Sequence, residues 1–158
     1  DQLWYYLYHD VNGQESEIGS ICVDRGTPMD GGYIILHGHN AGWQGVMFSD
    51  LTEYLDNSFC LEHQTATLNG EDYNLALVAV VDGYSTEVYG GSLNAAYLNS
   101  CTAWGQVDGG AEKYLVLSTC IEPRHPENTD RLVVVFGSEK QASWGVEAAA
   151  PASNIPAE

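Results

Sequence analysis

The chain has 158 residues, enough for one domain with a real core, and 44% of them are apolar and 11% aromatic, which excludes wholesale disorder. The formal charge of −17, from 22 acidic against 5 basic side chains, repels nucleic acid and anionic membrane surfaces, so neither is expected as a partner. No run approaches the roughly 20 consecutive apolar residues that a membrane-spanning helix needs.

Residues 3–8, LWYYLY, read as a tyrosine-rich turn of helix, followed by the polar loop HDVNGQESE with its Asn-Gly turn signal. The acids of this loop do not make an EF-hand, because Asp10, Asn12 and Gln14 with Gly13 do not fit the positions that such a calcium loop demands. Residues 20–24 read as a short strand and 25–32 as a turn-rich connection. The run YIILHGHN, residues 33–40, is a strand ending in a small-residue break, and alternation along it puts His37 and His39 on one side.

A glycine-bearing loop leads to a helix over residues 47–59, with Ser49 as its cap and Leu51, Tyr54 and Leu55 as its apolar stripe. His63 packs or is solvated. Thr65–Leu68 and residues 73–81 flank Asn69-Gly70, a strong hairpin signal, and residues 86–89 read as a further strand. Residues 92–101 have helical spacing through Leu93, Ala96, Tyr97 and Cys101, and the following TAWGQVDGG reads as loose. Two β-branched runs, Tyr114–Cys120 and Arg131–Gly137, flank a ten-residue loop with two prolines and an Asn, and residues 138–158 form an acidic Ala/Pro-rich tail read as mobile.

The chemistry concentrates where those two runs meet the loop. If they pair as a hairpin, Cys120 and Arg131 stand at the same end of the sheet. A free cysteine, with a reference pKa of about 8.5, is mostly protonated at neutral pH. A neighbouring cation favours the thiolate, and a guanidinium also donates hydrogen bonds to an oxyanion. If the strand read over residues 33–40 runs parallel to Tyr114–Cys120, the imidazole of His39 comes to the same rim and completes a nucleophile, an acid/base and an oxyanion donor. The competing reading is a small buried hydrophobe at a strand end beside a solvated edge charge.

The other cysteines, Cys22, Cys60 and Cys101, are scattered with no C-x-x-C spacing, so neither a zinc site nor a dithiol motif is indicated. Cys22 and Cys60 read as core thiols. The sequence leaves open a disulfide among these three.

Five blocks, IGSICVD (18–24), YIILHGHN (33–40), MFSDLTEYLDNSF (47–59) with His63 shortly after, YLVLSTC (114–120) and RLVVVFG (131–137), resemble in their order those of the sortases. These are the cysteine transpeptidases of Gram-positive cell surfaces, and the likeness is greatest to class B. The resemblance implies a mainly β fold, a closed sortase-type barrel with two or three short helices, occupying residues 1–137. It implies Cys120 as nucleophile, His39 as acid/base and Arg131 as oxyanion partner, with no cofactor and no metal. Ser118, two before Cys120, is expected to share its strand face and touch the substrate.

By the same resemblance the partners are a surface-protein sorting-motif peptide and a cell-wall or pilin amine, and the place of action is the extracellular face of the membrane. The helix-bearing segment 90–110 is expected to wall the substrate groove. Two departures stand out: the family's first two barrel strands and its membrane-anchor helix are expected to precede the residues present here, and the tail has no family counterpart. Two other functions fit the same blocks, an inactive extracellular binding domain and a hydrolytic cysteine peptidase using water as acceptor.

Overall fold

The strands that read as unbroken apolar runs lie in the middle of one sheet and are buried on both faces. The computed structural model describes residues 2–26, 32–89, 91–123 and 127–138. In chain order the elements are α1 (Gln2–Leu7), β1 (Cys22–Val23), β2 (Tyr33–His37), a 3-10 helix (Ser49–Leu55), α2 (Asn57–Glu62), β3 (Thr65–Leu68), β4 (Glu71–Val81), α3 (Thr86–Tyr89), α4 (Ala95–Ser100), β5 (Thr102–Gly105), β6 (Tyr114–Cys120) and β7 (Arg131–Gly137).

The sheet runs β1-β2-β6-β7-β4-β3, with β5 also on β4. Alternation divides its side chains between two cores. Ile34, Leu115, Leu132, Val134 and Phe136 pack with Leu51, Tyr54 and Cys60 of the 3-10 helix and α2. Ile35, Val116, Val133 and Val135 pack on the other side with Val88, Leu93 and Leu98. A strand buried on both faces has no polar face to show, which is why β6 and β7 read as continuous apolar runs.

β2 pairs with β6 in parallel, from Tyr33 opposite Tyr114 to His37 opposite Ser118. β6 and β7 form an antiparallel pair that ends with Cys120 opposite Arg131. Both relationships are as the sequence led us to expect, and so is the β3–β4 hairpin. Asn69 (φ 52°) and Gly70 (φ 80°) both take left-handed backbone, as a two-residue type I′ turn requires.

Several expectations need correction. The sheet is not closed by hydrogen bonds among the described residues. β1, only two residues long, pairs with β2 alone, and β3 pairs with β4 alone, so among the described residues the hydrogen-bonded path has two ends. Residues 86–89 are helical, not extended. Asp82 accepts the N–H of Tyr84 on its side chain and that of Ser85 on its carbonyl, and the turn so formed feeds a helical turn that buries Val88. Part of the segment read as loose is strand β5, which pairs with β4 and ends at Gly105 (φ 74°).

The helix expected over 47–59 is two helices. Ser49 does not cap the first, because its hydroxyl accepts the Ala41 N–H at 2.9 Å instead. Asp56 breaks the run in extended backbone and caps α2 through the Ser58 N–H. Leu51 and Tyr54 are buried, whereas Leu55 is 37% exposed and falls off the stripe. The helix expected over 92–101 begins at Ala95, where Asn94 accepts the Tyr97 N–H.

All four cysteines are free, so no disulfide joins Cys22, Cys60 and Cys101. Ser138 still belongs to the sheet end, its hydroxyl accepting the N–H groups of Glu112 and Lys113. The rest of the expected tail, residues 139–158, lies outside the described residues.

Candidate active site

β6 delivers Cys120 and β7 delivers Arg131 to one rim, and the pair is direct. Arg131 Nη1 donates to Cys120 Sγ at 3.4 Å and Nε donates to Ser118 Oγ at 3.0 Å. Ser118 and Cys120 are two apart on one strand and so share a face. One planar guanidinium therefore spans both, with its fork geometry set by two acceptors. Cys120 and Arg131 are half-buried. Ser118 is 0% exposed, so its hydroxyl supports the guanidinium from beneath rather than facing solvent.

His39 reaches this rim through backbone bonds on either side of it. Beyond the last paired residues of β2 and β6, the Gly38 N–H donates to Ser118 O at 3.1 Å and Thr119 Oγ1 donates to Gly38 O at 2.8 Å. Asn40 Nδ2 then donates to the carbonyls of both Cys120 and Ile121 at 3.1 Å. The residues flanking His39 are thus tied to the residues around Cys120. The Phe48 N–H bonds His39 O at 3.0 Å, and a Cβ on Gly38 would lie 2.7 Å from the Phe48 ring, so only glycine lets that ring cross the end of β2.

The imidazole is oriented from the chain's beginning. His39 Nε2 lies 2.9 Å from Leu7 O at the end of α1. A carbonyl only accepts, so Nε2 carries a hydrogen and Nδ1 is the nitrogen left to exchange a proton. Gly19 (φ 60°) passes against that carbonyl, where a side chain would collide with Leu7 O.

His37 does not share this environment. The strand ends at His37, so alternation does not carry through Gly38 to His39. His37 is 2% exposed and its Nε2 donates to Asp24 Oδ2 at 2.9 Å. Burial holds the imidazole below the usual histidine value, aided by the Arg131 charge and opposed by Asp24. Burial works against Asp24 as well. Even so, the hydrogen bonds from His37 and from the Gly26 N–H keep its carboxyl below the usual range.

Three of these placements were not anticipated from sequence: the two hydrogen bonds from Asn40 to the carbonyls of Cys120 and Ile121, the Leu7 carbonyl behind His39, and the Asp24–His37 pair. Only Asn40 left a trace, an amide side chain next to the strand-end break. His63 bonds its own helix at Phe59 O and stacks on the Phe59 ring, away from the rim. A cavity of about 380 Å³ lies beside the end of β6, lined by Asn40, Trp43, Asp50, Glu53, Ile121 and Pro123 among others. Among the described residues, no group of three or more His, Cys, Asp or Glu is placed to hold a metal ion.

Comparison with known proteins agrees with this architecture. The family model described as Sortase domain matches residues 2–138. Sortase B of Listeria monocytogenes is 36% identical over 83 residues, which are 49% of this chain and 33% of that protein, so the match spans about a third of the relative's length. Among solved structures, the Staphylococcus aureus sortase B–substrate complex superposes with a TM-score of 0.67 at 22% identity, covering 87% of this chain and 70% of that one. Clostridium perfringens sortase B gives 0.63 at 22% identity, covering 84% and 80%. A Streptococcus pyogenes class B sortase involved in pilus biogenesis gives 0.67 at 17% identity, covering 84% and 78%. Identities this low carry the fold alone. With the domain model matched from residue 2 to residue 138, the chain belongs to the sortase family, and by the match to the Listeria sortase B it is most similar to class B.

Proposed function

We propose that the chain is a cysteine transpeptidase that cleaves an extended sorting motif near the C-terminus of a surface protein and joins the acyl group to an amine. The observation that carries this reading is the Arg131 Nη1 contact to Cys120 Sγ at 3.4 Å. A guanidinium at that distance is already in place for the oxyanion that forms when sulfur attacks a carbonyl.

The Cys120 thiolate adds to the carbonyl carbon of the motif's threonine, and the carbonyl oxygen takes the negative charge beside Arg131. His39 donates its proton to the departing amine nitrogen as the C–N bond breaks, leaving a thioester on Cys120. The acceptor amine then attacks that thioester, His39 removes its proton, and the sulfur leaves as the thiolate. No redox step or cofactor enters. The acceptor is an amine of a cell-wall precursor or of a pilin lysine, and the work is done at the cell surface where such amines meet translocated proteins. Ser118 acts by holding the guanidinium.

The test is to incubate the protein with candidate sorting peptides, with and without an added amine, and to identify the products by mass spectrometry. A ligated product that needs the amine and disappears in Cys120→Ala is expected. Hydrolysed peptide in place of ligated product would make it a peptidase. Peptide binding without turnover would make it a binding domain.

A further inference from the structure

Behind the guanidinium lies a row of side chains that the reaction above does not use. The Arg131 Cζ atom sits over the Tyr89 ring, 5.3 Å from its centroid. That ring stacks in turn on the His37 imidazole, with centroids 5.0 Å apart and planes 12° from parallel. His37 is held by Asp24 at 2.9 Å, with both side chains almost wholly removed from solvent. Asp24 is itself fixed, its Oδ1 accepting the Gly26 N–H at 2.9 Å and its own N–H donating to Ile35 O at 2.8 Å.

The four members come from four places in the chain: the turn after β1, the end of β2, the end of α3 and the start of β7. Gly91 (φ 73°) closes the layer, because a Cβ there would lie 2.6 Å from Gly26 O. The backbone beyond Tyr89 thus packs on the turn beyond Asp24. Stability alone does not account for the arrangement. Burying a hydrogen-bonded Asp–His pair is seldom better for folding than well-packed apolar side chains, and His37 Nδ1 is left buried without a hydrogen-bond partner.

We infer that Asp24, His37 and Tyr89 are positioning residues for Arg131: Tyr89, backed by His37 and fixed by Asp24, sets the plane in which the guanidinium meets Cys120. The inference rests on the roles given above to Cys120 and Arg131. The hydrogen bond to Ser118 at Nε is the firmer of the two that hold the guanidinium, the contact to the Cys120 sulfur being longer, and an aromatic face beneath the plane limits its tilt toward or away from that sulfur. An aromatic ring also attracts a cation without neutralising it. A carboxylate in the same place would hold the guanidinium in an ion pair and draw it from the sulfur. Burial keeps both rings uncharged, pushing the Tyr89 phenol up to about 12 and the His37 imidazole below its usual value. The single anion of the row, Asp24, is therefore separated from Arg131 by two neutral rings.

The experiment compares Tyr89→Leu, Tyr89→Phe, His37→Gln and Arg131→Ala in the full chain by three readouts: iodoacetamide alkylation of Cys120 at neutral pH, steady-state ligation kinetics, and thermal melting. Tyr89→Leu is expected to slow alkylation and lower kcat by roughly tenfold with little change in KM, in the direction of Arg131→Ala. Tyr89→Phe, which keeps the ring, is expected to recover both to within about twofold. His37→Gln is expected to lower both severalfold.

A merely structural role would move the melting point without this split between Phe and Leu. Folded Tyr89→Leu and His37→Gln proteins with parent-like alkylation overturn the inference, as does Tyr89→Phe failing as badly as Tyr89→Leu. If Tyr89→Leu does not fold, His37→Gln decides on the same criterion. Alkylation needs no peptide substrate, so a parent protein that forms no ligated product overturns the transpeptidase reading while the alkylation series still judges the positioning role.

Discussion

Cys120 and Arg131 face each other as the last pair of the β6–β7 ladder, with one guanidinium nitrogen 3.4 Å from the sulfur and another 3.0 Å from Ser118 Oγ. Lysine cannot reproduce that span, because its ammonium is a point charge without the planar fork. Arg131→Lys is therefore expected to lower kcat for ligation by about 10²–10³, with a much smaller effect on KM, the range seen when an oxyanion donor is lost. Ser118→Ala keeps the cation but frees its Nε, and a smaller loss of about tenfold is expected. Steady-state kinetics with one sorting peptide and one amine check both, and parent-like kcat in Arg131→Lys would sink the oxyanion role.

Asn40 holds together the two strand ends that carry His39 and Cys120. Its amide donates to the carbonyls of Cys120 and Ile121 and its oxygen accepts the Gly42 N–H at 3.0 Å. Asn40→Ala leaves three backbone groups without this partner, which is expected to cost about 1–3 kcal/mol of stability. It is also expected to lower kcat, since the residue after His39 loses its bonds to the Cys120 and Ile121 carbonyls. Urea unfolding and ligation rates measure the two effects separately; a variant as stable as the parent contradicts the first.

The Asp24–His37 pair makes stability depend on pH in a definite direction. Both groups have folded values below their ordinary ones of 3.8 and 6.5. A depressed value means that the unfolded chain takes up the proton first, so acid favours unfolding. The contribution of His37 is full above pH 6.5 and is lost as pH falls through its lowered value, and that of Asp24 follows below pH 3.8. The melting temperature is expected to fall on acidification from neutral pH, and His37→Gln is expected to flatten the first part of that fall. A parallel decline in the variant would remove His37 as its source.

The four thiols are expected to separate by reactivity. Burial pushes Cys60 up to about 12, with Asp56 adding to the effect, and its Sγ donates to Tyr54 O at 3.2 Å. Cys22 is likewise raised by burial and then by Asp24, and both are buried. Mass mapping after brief alkylation of the native protein should find label at Cys120 and, more slowly, at Cys101, with Cys22 and Cys60 labelled only in denaturant. Native labelling of Cys60 would contradict the core packing described here.

Much of this site could be read along the chain. A thiol closing one apolar run and an arginine opening the next, with a short Pro-rich loop between, predicts a cross-strand pair from hairpin geometry alone. The Asn-Gly turn between β3 and β4 was equally legible, since its left-handed backbone is a local demand. The strand misread at residues 86–89 shows the limit of such reading. Thr86 and Val88 favour extended backbone by type, but the Asp82 turn and the burial of Val88 decide for a helix.

By itself, then, the sequence determined the long apolar strands β2, β4, β6 and β7, the β3–β4 turn and the pairing of Cys120 with Arg131, because these depend on residues close along the chain or joined by one short loop. Tertiary structure alone decided that the Leu7 carbonyl orients His39, that Asn40 grips Cys120 and Ile121, that Asp24 and His37 meet in the interior, and that the described sheet ends at β1 and β3 instead of closing. Side-chain periodicity records which way a residue points from its own strand. It holds no record of which distant backbone will end opposite, and a hydrogen bond is made or lost on that placement.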